Sequence, residues 1–334
     1  MTGGPNPSIQ MPSGEDASAS GSAPVVGVIY NPRSHRNQGR YLEAAALPNV
    51  HMVEPADHAE ISEALARFSK LGIEYLIING GDGTVRDVLT CGRDVFGDAW
   101  PVLAVLPKGK TNALNVDLGA PRGWNLKAAL AAFATGQRVA RKPVVVAPAN
   151  GDGPTYQGFI LGAGGFTLGV RAGQDAHRMG AFNSFAVGVT SVWGVLQGLL
   201  GSDKNIWRRG VAMRLLLGRE KRELPHSAYG DPARRVFMLS STLERFPVGL
   251  KLFGKFREGL KLFVFDHPRR RTLAYAPAIL YGWLPKWLPE KGIHFAAPEH
   301  FEMDIGDEFI LDGEAFPAGH YHVSTGPELR FVVP

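Results

Sequence analysis

The stretch Tyr75-Leu76-Ile77-Ile78-Asn79-Gly80-Gly81-Asp82-Gly83-Thr84-Val85-Arg86-Asp87 decides the reading of this chain. An apolar run of strand length passes directly into three glycines, an aspartate and a threonine, and a helix is expected near 84–92. A strand that ends in such a turn and feeds a helix exposes backbone N–H groups and the positive end of a helix dipole, which together attract phosphate. Glycines let the backbone approach a ligand, while Asp82 puts a negative charge where phosphate would be repelled, which calls for Mg²⁺ or a transferable proton. An ordinary strand-to-helix turn capped by Asp82 would use the same residues, so the neighbouring strand ends must decide.

Working outward, short β-branched runs alternate with helical stretches. Strands are expected at 25–30, 51–54, 75–80 and 101–107, with helices near 38–47, 57–71, 84–92 and 124–136. That alternation implies a mostly parallel sheet with helices on both faces, and in such sheets ligands sit where strands end. The first strand ends in Asn31-Pro32-Arg33-Ser34-His35, and the fourth in Lys108-Gly109-Lys110-Thr111-Asn112-Ala113-Leu114. Three strand ends thus carry polar turns suited to phosphate.

The texture changes near residue 143. Glycine-rich and β-branched strands follow: YQGFILGAGGF (156–166), RRVFMLSST (234–242), LKLFVFD (260–266) and closing strands through 331–334, around a mixed helix near 181–200. The expected division is a disordered tail at 1–23, an α/β unit at 24–143 and a β-rich unit at 144–319, leaving open whether the last strands near 320–334 return to the first unit.

With 334 residues, two domains are expected. A net charge of +5 is too mild for a dedicated nucleic-acid binder, so no nucleic acid is expected, but it suits contact with anionic surfaces such as a membrane. The single cysteine, Cys91, cannot form an internal disulfide and reads as a small core residue in a reducing compartment. The Gly-, Ser- and Pro-rich start looks like neither signal peptide nor anchor, and no window is apolar enough for a spanning helix. A cytoplasmic protein, peripheral to the inner face of the cytoplasmic membrane, is the expectation. Arg269, Arg270 and Arg271 precede LAYAPAILYGWLPKWLP (273–289), whose Tyr281, Trp283 and Trp287 suit a lipid–water interface, and FPVGLKLFGKF (246–256) is equally apolar. Packing of both tryptophans in a core is the competing reading.

Five motifs in order, NPRS (31–34), GGDGT (80–84), LPKGKTNALNVDLG (106–119), GFILGAGGF (158–166) and LDGE (311–314), make the chain resemble the diacylglycerol kinase catalytic-domain superfamily, which includes bacterial lipid kinases, sphingosine kinases and ceramide kinases. The resemblance covers roughly residues 25–334. It implies a Rossmann-like nucleotide-binding α/β domain and a second, β-sandwich-like lipid-binding domain, with the active site in the cleft between them. It also implies ATP-dependent transfer of the γ-phosphate to a hydroxyl of a membrane lipid. By family likeness ATP is surrounded by Asn31, Pro32, Arg33, Ser34 and His35, by Gly80, Gly81, Asp82, Gly83, Thr84, Val85 and Arg86, and by Gly109, Lys110, Thr111 and Asn112. The motif Asp312-Gly313-Glu314 would face the phosphate, with Glu314 as base, Asp312 and Asp82 as metal-linked or alternative bases, and all three carboxylates as candidate Mg²⁺ ligands.

The sequence departs from the family pattern in three places. Lys110 stands for Thr or Ser, Arg86-Asp87 for Asn-Glu, and Thr167 for an aspartate that helps sphingosine kinases recognise polar head groups. Thr167 turns the expectation from sphingosine toward a neutral lipid, diacylglycerol or ceramide. Two rival functions remain: a soluble-substrate kinase of NAD-kinase type, whose GGDGT loop is similar, and a catalytically silent lipid-binding protein.

Overall fold

The computed structural model of the protein describes residues 23–37, 47–178, 205–227, 229–267 and 269–334. The expected tail and the helices near 38–47 and 181–200 lie outside the described residues, apart from the edges of the first two.

Four parallel strands carry the first sheet: β1 (Val26–Tyr30), β2 (Val50–Val53), β3 (Tyr75–Gly80) and β4 (Val102–Pro107). β1 and β3 are buried along their whole length, which is why they read as unbroken apolar runs rather than alternating ones. The sheet order is β2-β1-β3-β4-β19-β5. β5 (Gln137–Arg141) and the last strand, β19 (Leu329–Val333), pair antiparallel, and β19 also lies parallel to β4. The chain therefore does return to its first sheet, but only with its final strand. Because β2 and β3 flank β1 on opposite sides, the ends of β1 and β3 form the switch point where such sheets bind ligands.

Helices α1 (His58–Lys70), α2 (Asp82–Phe96), α3 (Ala113–Leu118) and α4 (Leu126–Thr135) accompany this sheet. Asp57 caps α1 by accepting from Glu60 N at 3.0 Å, and Ile61, Ala64, Leu65 and Phe68 bury one stripe at helical spacing. α2 begins two residues earlier than the sequence predicts and runs on to Phe96, so Asp82 belongs to its first turn rather than to the preceding loop. Cys91 on this helix packs against the core as expected but is only half-buried, with Sγ 3.5 Å from His58 O on α1.

Two antiparallel sheets follow. One has the order β10-β9-β15-β18-β6-β7, built from β6 (Val144–Pro148), β7 (Tyr156–Gly158), β9 (Val211–Leu217), β10 (Arg222–Glu223), β15 (Phe301–Ile305) and β18 (Gly319–Thr325), with β11 (Arg234–Arg235) beside β9. The other runs β14-β13-β12-β8-β16-β17, from β8 (Ile160–Gly164), β12 (Phe237–Ser241), β13 (Lys261–Phe265), β14 (Ile293–Ala296), β16 (Phe309–Leu311) and β17 (Glu314–Phe316). One core draws on both sheets, with Val144 and Val146 meeting Leu161, Met238, Val264 and Leu311. A second core joins α1, α2 and α3 to Phe159, Leu239, Phe246 and Phe263, binding the first sheet's helices to the third sheet. The run 156–166 is not one strand but two, assigned to different sheets and broken at Phe159, whose N–H is drawn to Asp312.

Candidate functional site

At the switch point Asn31 donates its backbone N–H to Asn79 O (3.1 Å) and its Nδ2 to the Thr84 hydroxyl (2.8 Å), tying the end of β1 to the first turn of α2. Asn37 closes the corner: its Nδ2 reaches Asn31 O (2.9 Å), Asn79 O (3.2 Å) and Asn79 Oδ1 (3.0 Å). The N-cap of α2 is Gly81, which has no side chain to cap with, so the first amides of a helix at the sheet's carboxyl edge lack an N-cap side-chain bond. A Cβ on Gly81 would lie 2.8 Å from the Gly109 Cα, so the GGDGT and KGKTN turns touch backbone to backbone and only glycine permits it.

Asp82 links these turns. Its carboxylate accepts from Ala113 N (3.0 Å) and Leu114 N (3.3 Å), capping α3 from the neighbouring helix. α3's own N-cap, Asn112, is left-handed (φ 52°), with its side chain engaged by Gly109 N (2.7 Å) and Gly109 O (2.8 Å). Burial pushes the Asp82 carboxyl up, opposed by those amides.

Asp312 comes from the other side. Asp312 and Gly313 form the two-residue turn between β16 and β17, with φ of 45° and 86°, the positive pair that a tight hairpin of this twist requires. The Asp312 carboxylate accepts from Phe159 N (2.8 Å) and Ile160 N (2.9 Å), fixing the point where the chain changes sheets. Asp82, Val85, Ala113, Leu114, Phe159 and Asp312 line one narrow crevice. Burial, then the charge of Asp82, pushes the Asp312 carboxyl up to about 7.

That shift has a sign. A carboxyl whose folded value lies above its unfolded one (3.8) stabilises the fold relative to higher pH, and this contribution is lost as pH rises toward about 7. Measured in chelator, the wild type is expected to lose stability over that interval relative to Asp312→Asn, whose amide does not titrate. Parallel thermal melts across pH check it, and parallel curves for the two proteins would refute the shift.

Arg86, expected at the nucleotide, turns instead toward the hairpin. It is buried, pairs with Asp87 (Nη2–Oδ1 2.6 Å), donates to Leu311 O (3.4 Å) and stands 3.7 Å from Glu314 Oε2. Glu314 opens β17 with its side chain 62% exposed. Val85 packs in the core beneath the turn, Arg33 donates to Ala56 O, Ser34 is buried, and His35, Lys110 and Thr111 are exposed at the surface. Asn31, Gly80, Gly81, Asp82, Thr84, Gly109, Asn112 and Asp312 are brought together, and Arg33 joins them through its backbone N–H, which donates to Asn31 Oδ1 at 3.0 Å.

Sequence reading missed Asn37 and a clamp around Asp117. This fully buried carboxylate accepts from Glu244 N and Arg245 N, each at 2.7 Å, and from Arg141 Nε at 2.6 Å, while Arg141 also pairs with Glu244 at 3.1 Å. It ties α3 to β5 and to the loop after β12. An unpaired-looking acid inside LPKGKTNALNVDLG was the available signal. Among the described residues no group of three or more His, Cys, Asp or Glu side chains could hold a metal, so the expected trio of Asp82, Asp312 and Glu314 is not a cage. Nor is any helix among them long and apolar enough to cross a membrane.

Residues 25–146 match the diacylglycerol kinase catalytic domain. Over 84 residues the chain is 31% identical to the Probable lipid kinase YegS of Shigella flexneri, a match covering 25% of this chain and 28% of that protein, and equally to its Escherichia coli counterpart. The chain thus spans little more than a quarter of the length of these curated relatives. In fold it is similar to a diacylglycerol kinase from Bacillus anthracis str. Sterne, with TM-score 0.58 and 15% identity over 92% of this chain and 96% of that one. The matched segment contains the whole of the Asn31, GGDGT and KGKTN corner, so this part of the chain is similar to the diacylglycerol kinase catalytic domain.

Proposed function

We propose that the protein is an ATP-dependent lipid kinase that phosphorylates a hydroxyl of a neutral membrane lipid, diacylglycerol or ceramide, in a cleft between a Rossmann-like nucleotide-binding domain and a sandwich-like lipid-binding domain. The observation that carries this reading is the convergence of Asp82 and Asp312 on one crevice, beside the N-terminus of α2. Phosphoryl transfer needs chiefly positioning and charge neutralisation. The α2 amides and the turns at Asn31 and Gly109 would hold the nucleotide phosphates, and Glu314 would take the acceptor's proton. Mg²⁺ commonly sits on one or two carboxylates plus phosphate, which suits the Asp82–Asp312 pair at the crevice. When bound it supplies charge neutralisation. Thr167, buried with its hydroxyl unpartnered, offers no charge to a lipid amine, which supports a neutral substrate.

A kinase assay against diacylglycerol, ceramide, sphingosine and monoacylglycerol in mixed micelles, with mass analysis of products, tests the reading. Phosphorylation of NAD alone would favour the soluble-substrate kinase. No ATP turnover with any acceptor would leave a silent lipid-binding protein.

The two turn glycines separate fold from ligand. Gly81→Val drives a side chain into Gly109, so both melting temperature and ATP affinity are expected to fall. A Cβ at Gly83 meets nothing within 4 Å, so Gly83→Val is expected to keep its melting temperature and lose ATP binding, the added methyls entering the phosphate space. Nucleotide titration with a thermal melt reads both. Unchanged ATP affinity in Gly83→Val would move the phosphate site away from this turn.

A further inference from the structure

Two apolar segments far apart in sequence form one surface. Lys251 N donates to Leu280 O at 2.8 Å, and Gly254 lies so close to Leu284 that a Cβ there would stand 2.2 Å from its Cδ1. Phe246, Phe253, Ile279 and Leu288 are buried beneath and anchor both segments in the core. Above them Tyr275, Trp283 and Trp287 form an aromatic cluster with centroids 5.5–5.8 Å apart, while Tyr281 is 60% and Trp283 45% exposed. The competing core reading thus holds for part of Trp287 but not for Trp283.

The turn Pro247–Gly249 opens the first of these two segments. Val248 at its tip is 83% exposed and left-handed (φ 61°), a conformation a β-branched residue rarely adopts and that solvent alone gives no reason to keep. The turn lies against α3, the helix whose N-terminus Asp82 caps at the crevice, and Val116 on α3 is also exposed. Six helical residues span about 9 Å, so the crevice and the apolar tip are one short helix apart.

We propose that the Val248 turn, with Tyr275, Tyr281 and Trp283, is the surface by which the protein docks on an anionic bilayer, holding the crevice at head-group depth. The inference rests on the lipid-kinase reading for its purpose but not for its test. Charge selects the partner. The same two segments and the residues flanking them carry exposed Lys251, Lys255, Arg257, Arg269, Arg270, Arg271, Lys286 and Lys291 against exposed Glu258 and Glu290. A second copy of a chain with net charge +5 would bring the same cations to the contact, whereas anionic lipid neutralises them. Aromatic rings with polar tips and a small apolar wedge match the interface of a bilayer.

The full chain is sedimented with phosphatidylcholine vesicles with and without phosphatidylglycerol. Wild type is expected to bind the anionic vesicles and to release as salt rises. Val248→Asp removes an exposed side chain and suits the left-handed backbone better, so its melting temperature should stay level or rise while vesicle affinity drops about tenfold or more. Its activity on a monomeric short-chain diacylglycerol should equal wild type. Trp283→Ala should lose binding in a way salt hardly alters. If folded Val248→Asp and Trp283→Ala both sediment with anionic vesicles as wild type does, the surface is overturned. If wild type shows Val248-dependent binding yet phosphorylates no lipid, the docking surface stands and the kinase reading fails.

Discussion

Glu314→Gln is expected to lower kcat for lipid phosphorylation by about 10²–10⁴-fold, the usual contribution of a positioned general base, with melting temperature unchanged. The substitution is nearly isosteric at a side chain 62% exposed, so little packing is lost. What distinguishes Glu314 from its neighbour is freedom. Asp312 has both oxygens committed to Phe159 and Ile160 amides, and removing it would loosen the hairpin. The Glu314 carboxylate stands 3.7 Å from the Arg86 guanidinium, a separation that leaves it able to swing to an acceptor hydroxyl. KM for ATP should be nearly constant, since the proton moves after the nucleotide is seated. A variant keeping more than half of wild-type kcat would pass the role of base to Asp312 or Asp82.

Much of this corner was legible because its signals are local. YLIING is a strand in both readings, since an apolar run bounded by glycine has few other uses. The three polar strand ends could be expected to meet because parallel strands place all their carboxyl ends on one edge. What sequence hid was direction. Arg86 stands inside the phosphate-like motif, yet from the second turn of α2 its long side chain reaches over to Leu311 O, 225 residues away. Nothing in local spacing carries that. The break at Phe159 was invisible for the same reason: its cause is a carboxylate 153 residues further on. The apolar segments at 246–256 and 273–289 were conspicuous, but only contacts between them, Lys251 N to Leu280 O and Gly254 against Leu284, show that they form one surface. Asn37 and Asp117 escaped notice because a buried polar residue differs from a solvated one only by its partners, and theirs come from distant strands.

Asp82→Asn should behave differently from Glu314→Gln, and the difference follows from its place in α2. Read as a turn residue, Asp82 would lose only charge on substitution, leaving the fold intact. In the structure its two oxygens receive Ala113 N and Leu114 N, and the residue that would ordinarily cap α3, Asn112, has its side chain spent on Gly109. An asparagine there offers one carbonyl oxygen to two amides and turns its own NH₂ against the other. The unsatisfied N–H costs about 1–3 kcal/mol, so the melting temperature should fall. Because α3 and the KGKTN turn are set by the same contact, ATP affinity should fall with it, and the lost carboxylate should cut kcat by about 10²–10⁴-fold besides. Differential scanning calorimetry, ATP titration and a lipid-kinase assay on the two variants side by side separate a group that acts on the proton from one that also holds the site together. An Asp82→Asn protein that melts like wild type and saturates with ATP at the same concentration would show that α3 finds its cap elsewhere, and that Asp82 belongs to the chemistry alone.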